Sequence, residues 1–360
     1  MARALKLPDF PWDALAPFAD LARKHPAGII DLSQGTPVDP TPKHIQQSLA
    51  DHSNSPSYPL TAGTPQLRDA IKSWATKRLG IKGDFDVLPV IGSKEFVAWL
   101  PTFLGSRKVL YPKVAYPTYN VGAIIAGAEP IAVDLDAKTW PDSDLAWINS
   151  PSNPTGRVHT ESELRAAIEY AKSHNSPVVS DECYLEFGDS AEPVSILSYT
   201  NGENSNILAV HSLSKRSSMA GYRGAFVIGD SLLIKKILEI RKHAGMMVPL
   251  PIQHAMVAAL SDDSHVHEQR ARYNQRRKNL RPALESIGFK VEHSEAGLYI
   301  WCTRGEDSWK SVEALAQLGI LVTPGVFYGA DGSQHIRIAM TATDSAIADA
   351  AARITASKVI

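Results

Sequence analysis

The sequence predicts an α/β protein that has a mostly parallel sheet between helices and a second, smaller α+β domain. Its 360 residues exceed one average domain. Between Phe85 and Asp230, short β-branched runs alternate with helical segments, which is typical of parallel strands joined by crossover helices. After Gly229 the pattern changes to long helices and separate strands. We therefore expect an N-terminal segment over residues 1–44, a large domain over 45–250 and a small domain over 251–360.

Six runs are predicted as strands of the large sheet. In chain order they read DVLPVIG, KVLYP, AWINSP, PVVSDECY, NILAVHSL and GAFVIGD. Helical stretches such as KEFVAWLPTFLG and TESELRAAIEYAKSHN lie between several of them. Thr160 and Glu163 have the spacing of a capping box, which predicts a helix beginning there and ending near His174.

The C-terminal part reads differently. Helices are predicted near Leu232–His243 and Val266–Ile287. Strands FKVEH, LYIWCT and HIRIAM follow, with the helix VEALAQLG among them, which indicates a smaller α+β unit. The first forty or so residues lack a strand ladder of their own, so we expect them to pack on this second domain.

Composition and charge exclude several classes of protein. With 44% hydrophobic residues the chain can bury large cores, so a disordered or fibrous protein is excluded. The net charge of -1 gives no positive field for nucleic acid or an anionic membrane. Cys183 and Cys302 are too few for a disulfide framework or a four-thiolate zinc site, no metal site is predicted, and sparse cysteine is typical of a reducing compartment. Without a signal peptide or a long apolar run, we expect a cytoplasmic protein that binds small molecules.

Polar residues follow five of the predicted strands, where ligands of open parallel sheets bind. Each cluster alone has a structural explanation, as a surface lysine, a helix cap, an Asn-Pro turn or a core tyrosine. Their succession in chain order favours one shared site. The five are GSKE at 92–95, YPTY at 116–119, NPTG at 153–156, DECY at 181–184 and SLSK at 212–215.

Two of these residues suggest the chemistry most directly. A semi-buried, electropositive pocket would lower the pKa of Lys215 enough to make it a Schiff-base amine. Asp181 follows an apolar strand, where a carboxylate needs a partner such as a cationic heterocycle nitrogen. Ser212, Ser214 and Arg223 could hold a phosphate dianion, and the helix that follows GSKE could add backbone N–H donors.

Three further side chains suit an aromatic ligand. Tyr116 has a flat face that could stack on a ring. Tyr184 could donate its hydroxyl to a phenolate-type oxygen, which the Asn153 amide could also reach.

The ordered motifs resemble those of the fold-type I pyridoxal-phosphate enzymes, in particular the aspartate aminotransferase-like class I and II aminotransferases. The similar segments span nearly the whole chain and include YPLTAGTPQLRDAI at 58–71, GYRGAF, PGVFYG at 324–329 and HIRIA at 335–339. The resemblance implies fold type I with a seven-stranded large-domain sheet, pyridoxal 5′-phosphate (PLP) as cofactor, and a homodimer with shared active sites. It also implies transamination between an amino acid and a 2-oxo acid, with glutamate and 2-oxoglutarate as the default pair.

The resemblance also assigns roles to individual residues. Lys215 is the amine that binds the cofactor, Asp181 faces the pyridinium nitrogen, and Arg337 takes the substrate α-carboxylate. Many relatives carry a small or hydroxyl residue in place of Lys94. The other implied contacts are Asn153 and Tyr184 at the 3′-oxygen, Tyr116 on the ring, Ser93, Lys94, Ser212 and Arg223 around the phosphate, Tyr58 at the phosphate of a second subunit, and Gly35 and Asn153 beside the substrate.

The opening stretch, residues 7–42, is similar to actinobacterial N-succinyldiaminopimelate aminotransferases, which implies that substrate and a place in lysine biosynthesis. A carbon–sulfur β-lyase or an aspartate or aromatic aminotransferase would use the same lysine and aspartate. A non-catalytic sensor module of a transcription regulator is a further alternative, but no basic recognition helix is evident before Tyr58.

Overall fold

The computed structural model describes residues 6–357, and within that range the chain forms strands and helices of the α/β class. The helices are α1 (Ala16–Arg23), α2 (Lys43–Asp51), α3 (Pro65–Trp74), α4 (Ser93–Leu104), α5 (Thr118–Ile125), α6 (Glu161–Ser173), α7 (Leu213–Arg216), α8 (Ser231–Ala244), α9 (Leu250–Ser261), α10 (Ser264–Ser286), α11 (Ser308–Gln317) and α12 (Asp344–Ala356). The strands are β1 (Ile30–Asp31), β2 (Asp86–Ile91), β3 (Lys108–Pro112), β4 (Glu129–Val133), β5 (Leu145–Asn149), β6 (Val178–Asp181), β7 (Ile207–Ser212), β8 (Gly224–Gly229), β9 (Lys290–Val291), β10 (Tyr299–Thr303), β11 (Ile320–Leu321), β12 (Thr323–Pro324) and β13 (His335–Ala339).

The large sheet has seven strands in the order β2-β8-β7-β6-β5-β3-β4. Strand β8 runs antiparallel to both of its neighbours, and the other pairs are parallel. The predicted mostly parallel seven-stranded sheet is therefore confirmed. The six runs read from the sequence are β2, β3, β5, β6, β7 and β8. Strand β4 was missed because its apolar run is only three residues long and Pro130 precedes it, and proline argues against a strand except at a sheet edge, where β4 lies.

Both faces of this sheet are buried, because consecutive residues of a strand point to opposite sides. In β6, Val178 belongs to one hydrophobic cluster and Val179 to the other. In β7, Ile207 and Leu208 are divided in the same way. Helices therefore cover both faces, and the polar ends of the strands are left as the accessible edge.

The predicted capping box at the start of α6 is confirmed. The Thr160 hydroxyl accepts a hydrogen bond of 3.3 Å from the Glu163 backbone N–H. The Glu163 carboxylate accepts one of 2.8 Å from the Thr160 backbone N–H. These two bonds satisfy donors that have no partner within the helix.

The C-terminal part forms a second sheet of order β12-β13-β10-β9, packed with α10, α11 and α12 around a third hydrophobic cluster. The N-terminal segment lies against it: β1 pairs in parallel with β11, and Phe18 stacks on Trp309 with ring centroids 5.2 Å apart. The sequence predicts that the large domain ends at residue 250. Helix α9 follows that limit, yet its buried residues belong to the same hydrophobic cluster as those of α3 in the large domain. The domain limits themselves stay predictions.

The reversed direction of β8 matters for the site. Parallel strands β5, β6 and β7 end at one edge of the sheet, and an antiparallel strand begins at that same edge. Arg223, the residue before β8, is therefore brought to the strand ends, beside the turn that follows β2. Over residues 6–357 no helix is long and apolar enough to span a bilayer.

Candidate active site

A cavity of about 400 Å³ lies at the carboxyl edge of the large sheet. Eleven of the twelve sequence-predicted site residues line it, although they come from positions 35 to 337 of the chain. They are Gly35, Ser93, Lys94, Tyr116, Asn153, Asp181, Tyr184, Ser212, Lys215, Arg223 and Arg337.

Asp181 is the last residue of β6 and is buried in the wall of this cavity. It pairs in register with Asn149, the last residue of β5. Its carboxylate accepts hydrogen bonds from the Tyr119 hydroxyl at 2.8 Å and from the Cys183 backbone N–H at 3.2 Å. Burial raises the pKa of Asp181, and these two hydrogen bonds oppose that rise. Within residues 6–357 no cationic side chain forms an ion pair with Asp181, so the carboxylate is available to a cationic ligand.

Lys215 lies on the short helix α7, directly after β7, and faces the same cavity. Its Nζ donates a hydrogen bond to the Gly35 carbonyl oxygen. Burial lowers the pKa of Lys215 to about 8, and the charges of Arg337 and Arg223 act in the same direction. Roughly a tenth of this amine is therefore neutral, and nucleophilic, at pH 7, far more than for an ordinary lysine.

Only glycine fits at position 35, because Tyr299 occupies the space that a side chain at this position would need. A Cβ built on Gly35 would lie 2.1 Å from the Tyr299 hydroxyl oxygen. That hydroxyl is 3.1 Å from the hydroxyl of Tyr184. The backbone of Gly35 and two tyrosine hydroxyls therefore meet beside Lys215.

One end of the cavity is built for an anion. Helix α4 begins there after Gly92, and within the described chain no side chain caps its first turn. A Cβ at Gly92 would lie 2.1 Å from Nη2 of Arg223, so the absence of a side chain admits the guanidinium. Ser212, Ser214 and Ser93 add hydroxyls to the same cavity. Free backbone N–H groups, hydroxyls and a guanidinium suit a phosphate group.

Arg337 occupies another wall and is 2% exposed. Its Nη1 donates to Asn153 Oδ1 at 2.9 Å and its Nη2 to the Ser33 carbonyl at 2.6 Å. Its guanidinium carbon lies 4.1 Å from the ring centroid of Tyr299. Its Nε is buried without a hydrogen-bond partner, and no carboxylate of residues 6–357 forms an ion pair with it. A buried arginine without a counter-ion suits a carboxylate ligand.

Two aromatic residues of the N-terminal segment, Phe10 and Trp12, also line the cavity, and sequence reasoning did not single them out. The ammonium group of Lys94 lies 5.6 Å from the centroid of the Phe10 ring. The Lys94 side chain is exposed, so its charge lies toward solvent. Whether Lys94 contacts a phosphate stays a prediction.

Tyr58 is the predicted site residue that does not line the cavity of this chain. Its side chain is 92% exposed. The structure therefore does not bring it together with the other eleven.

Several residues of the site were missed from the sequence. Tyr119 belongs to the YPTY motif, but only Tyr116 was given a role there. Asn149 ends a predicted strand and accepts from the Asn153 backbone N–H at 2.7 Å, which orients the NPTG turn. Tyr299 lies in the predicted strand LYIWCT, and nothing in that run distinguishes a site tyrosine from a core one.

The chain is similar to known aminotransferases over almost its full length. The sequence model of the family described as Aminotransferase class I and II matches residues 27–354. A probable aminotransferase of Mycobacterium tuberculosis, Rv1178, is 54% identical over 97% of this chain and 85% of its own length. The 4-dedimethylamino-4-oxo-anhydrotetracycline transaminase OxyQ of Streptomyces rimosus is 50% identical over 97% of this chain and 99% of its own.

Solved structures agree with these relatives. A probable N-succinyldiaminopimelate aminotransferase from Thermus thermophilus superposes with a TM-score of 0.88 at 25% identity, covering 96% of this chain and 99% of that one. The family match, the relatives and the fold agree with the arrangement of lysine, aspartate and arginine in the cavity. The chain therefore belongs to the class I and II aminotransferases, which are PLP-dependent enzymes.

Proposed function

We propose that this aminotransferase transfers an amino group between N-succinyl-LL-2,6-diaminopimelate and 2-oxoglutarate, in lysine and diaminopimelate biosynthesis. The observation that supports the reaction class best is that Lys215, Asp181 and Arg337 line one cavity while Asp181 and Arg337 lack ion-pair partners within residues 6–357. The substrate is supported by the similarity of residues 7–42 to actinobacterial enzymes of that activity. The name of the Thermus thermophilus relative agrees with it.

The residues present fit PLP. The buried carboxylate of Asp181 lacks a cationic partner among the described residues and suits a protonated pyridine nitrogen. The start of α4, Ser212 and Arg223 suit its phosphate. When bound, PLP supplies an electron sink for the negative charge that develops at the substrate α-carbon.

In this proposal each side chain has a distinct task. Asp181 keeps the ring nitrogen protonated, and Tyr119 holds the Asp181 carboxylate in position. Tyr184 and the Asn153 amide orient the ligand through its ring oxygen, while Tyr116 packs on the ring face. Lys215 would hold the cofactor through its Nζ atom.

Lys215 also moves a proton to and from the substrate α-carbon through its Nζ atom. Its pKa of about 8 is close to the pH at which such a general acid–base works best. A well-placed proton-transfer group contributes about 10²- to 10⁴-fold in rate. Arg337 holds the α-carboxylate with two parallel N–H donors and so fixes the α-carbon relative to Lys215.

The charge of the cavity favours acidic substrates. Lys94, Lys215, Arg223 and Arg337 line it against the single carboxylate of Asp181. If Asp181 pairs with the protonated ring nitrogen, Lys215, Arg223 and Arg337 match a phosphate dianion and a substrate α-carboxylate, and the exposed ammonium of Lys94 remains. Both N-succinyl-LL-2,6-diaminopimelate and 2-oxoglutarate carry a second acidic group far from the first, which such a site would accept.

We also propose a homodimer with shared active sites. The exposed Tyr58 lies outside the cavity of its own chain. In this proposal it reaches the phosphate in the neighbouring subunit.

A second candidate substrate is a large aromatic ketone. It is supported by the 50% identity to OxyQ, a 4-dedimethylamino-4-oxo-anhydrotetracycline transaminase, and by the rings of Phe10 and Trp12 in the cavity wall. A carbon–sulfur β-lyase remains a third alternative, since it would use the same lysine and aspartate.

A half-reaction screen tests these proposals. Holoenzyme is mixed with each amino donor, and the cofactor absorbance reports the loss of the aldehyde form; steady-state kcat/KM is then measured with 2-oxoglutarate. We expect N-succinyl-LL-2,6-diaminopimelate to exceed aspartate, tyrosine and alanine. A lower kcat/KM for it than for any of these would overturn the substrate, and faster turnover of an aminated anhydrotetracycline would favour the second candidate. Release of pyruvate and thiol from cystathionine, without an oxo-acid acceptor, would favour the lyase.

A further inference from the structure

Three potential metal ligands meet away from the active-site cavity. His44 lies in the first turn of α2, Asp262 in the turn between α9 and α10, and His265 in the first turn of α10. One ligand atom from each lies within 4.8 Å of the others. Among residues 6–357, no other set of three or more histidine, cysteine or carboxylate side chains comes together in this way.

His265 is held in an orientation that leaves one ring nitrogen free. Its side chain is 10% exposed. Its Nε2 lies 2.8 Å from the Ser217 hydroxyl oxygen, which also accepts a hydrogen bond from Arg216. Its Nδ1 is buried, has no hydrogen-bond partner within the described chain, and lies 3.9 Å from Asp262 Oδ2. A fixed ring with an outer partner on one nitrogen and a free second nitrogen is the usual state of a histidine ligand.

The two imidazoles also have the spacing that a shared ion needs. The ring centroids of His44 and His265 are 5.5 Å apart, and the ring planes are inclined at 60°. Two imidazoles on one tetrahedral ion, with metal–nitrogen bonds of about 2.1 Å, have centroids roughly 5 Å apart. The observed separation of the two rings is close to this value.

We propose that His44, Asp262 and His265 form a binding site for a divalent transition-metal ion, with Zn²⁺ as its best-fitting occupant. Two imidazoles favour Zn²⁺ over Mg²⁺, and a carboxylate is a common additional ligand of zinc. The three protein ligands leave a fourth position for water. The exposure of His44 gives the ion a route to the site.

The local charges permit a cation there. The backbone N–H groups at the start of α10 carry partial positive charge, which opposes the binding of a cation. Arg216 is also near, but its guanidinium is paired with the carboxylate of Asp263. Within residues 6–357 Asp262 therefore supplies a negative charge that no arginine pairs with.

A bound ion would connect two distant parts of the chain. It would join α2 to the start of α10, and through His265 it would hold Ser217, which follows Lys215 by two residues. An ion that binds the folded protein and not the unfolded chain raises the melting temperature. We expect a rise of a few degrees at saturating Zn²⁺.

The test uses the PLP-loaded enzyme after treatment with a chelator and removal of the chelator. We expect calorimetric titration with Zn²⁺ to show one site per chain that Mg²⁺ does not occupy. His44→Ala removes an exposed ligand and should fold normally. Asp262→Asn keeps a side-chain oxygen for the hydrogen bond of 3.0 Å that Asp262 Oδ1 accepts from the Ser264 backbone N–H. We expect both variants to weaken Zn²⁺ binding at least about tenfold and to abolish the rise in melting temperature.

The chain offers a matched control. His52, directly after α2, stacks on His254 of α9 with ring centroids 3.6 Å apart, and within residues 6–357 no third potential ligand joins them. His52→Ala should therefore leave Zn²⁺ binding unchanged. The proposal is overturned if the wild-type enzyme binds no Zn²⁺ at one per chain, or if His44→Ala binds it as tightly as wild type does.

Discussion

Tyr119 and Asp181 are joined by a buried hydrogen bond of 2.8 Å, in which the tyrosine hydroxyl donates to the carboxylate. Burial raises the pKa of Asp181, and this hydrogen bond together with that of the Cys183 N–H lowers it again. The carboxylate is therefore kept ready to ionise in a place where a lone charge would be costly. This pair sets how strongly the site can stabilise a cationic ring.

A graded pair of variants tests this role. Asp181→Asn removes the negative charge and should lower kcat by at least about 10²-fold at saturating PLP, as the loss of a preorganised electrostatic partner does. Tyr119→Phe removes only one hydrogen bond, worth about 1 kcal/mol, and should lower kcat about fivefold. Tyr170→Phe is the control, because the Tyr170 hydroxyl donates to the Pro141 carbonyl outside the site. Asp181→Asn turnover within a few fold of wild type would show that the carboxylate is structural.

Arg337→Lys should weaken binding of both substrates. A lysine cannot offer two parallel donors to a carboxylate, and loss of one charge-assisted hydrogen bond costs about 1.5–3 kcal/mol, or roughly 10- to 150-fold in KM. Steady-state kinetics with donor and acceptor varied in turn measures this. Arg281→Lys is the control, since Arg281 pairs with Glu285 on the exposed face of α10. A KM that rises for only one of the two substrates would contradict a shared carboxylate contact.

Tyr58 provides a test of the proposed homodimer. Subunits carrying Tyr58→Phe are mixed with subunits carrying Lys215→Ala, and the activity of the reassembled enzyme is compared with that of each variant alone. If each site takes Tyr58 from one subunit and Lys215 from the other, half of the sites in a mixed dimer are wild type and activity rises. A fully active monomer by sedimentation would rule out shared sites.

The lowered pKa of Lys215 predicts how cofactor attachment depends on pH. Only the neutral amine attacks a carbonyl carbon. Because burial depresses the pKa to about 8, the rate at which the apoenzyme takes up PLP covalently should rise with pH below 8 and level off above it. Stopped-flow absorbance from pH 6.5 to 9.5 measures this. A rate that still rises tenfold per unit beyond pH 9 would indicate an ordinary, solvated lysine amine.

The sequence predicted those parts of the site that stand directly at strand ends. Lys215, Asp181 and Asn153 follow apolar runs, and the rule that ligands bind beyond the carboxyl ends of parallel strands is enough to bring them together. Six of the seven strands of the large sheet and the capping box of Thr160 followed from equally local patterns, whereas the seven-stranded sheet was implied by the family resemblance.

Other residues depend on long-range packing and carried no local signal. Tyr299 matters because its hydroxyl occupies the space beside Gly35, a contact between a strand of the second sheet and an N-terminal loop. Phe10 and Trp12 reach the cavity only because the N-terminal segment lies across it. Edge strand β4 was missed because its apolar run is only Ile131–Val133 and is preceded by Pro130, a residue that argues against a central strand and is tolerated at a sheet edge.

The most direct test of the account is the chemical identity of the residue that binds the cofactor. The purified holoenzyme is reduced with borohydride and digested, and the modified peptide is found by mass spectrometry. We predict a single pyridoxyl-lysine at Lys215, its absence from Lys215→Ala, and its retention in Lys94→Ala, since Lys94 lines the same cavity with an exposed side chain. A reduced adduct that persists on another lysine in Lys215→Ala would contradict the account.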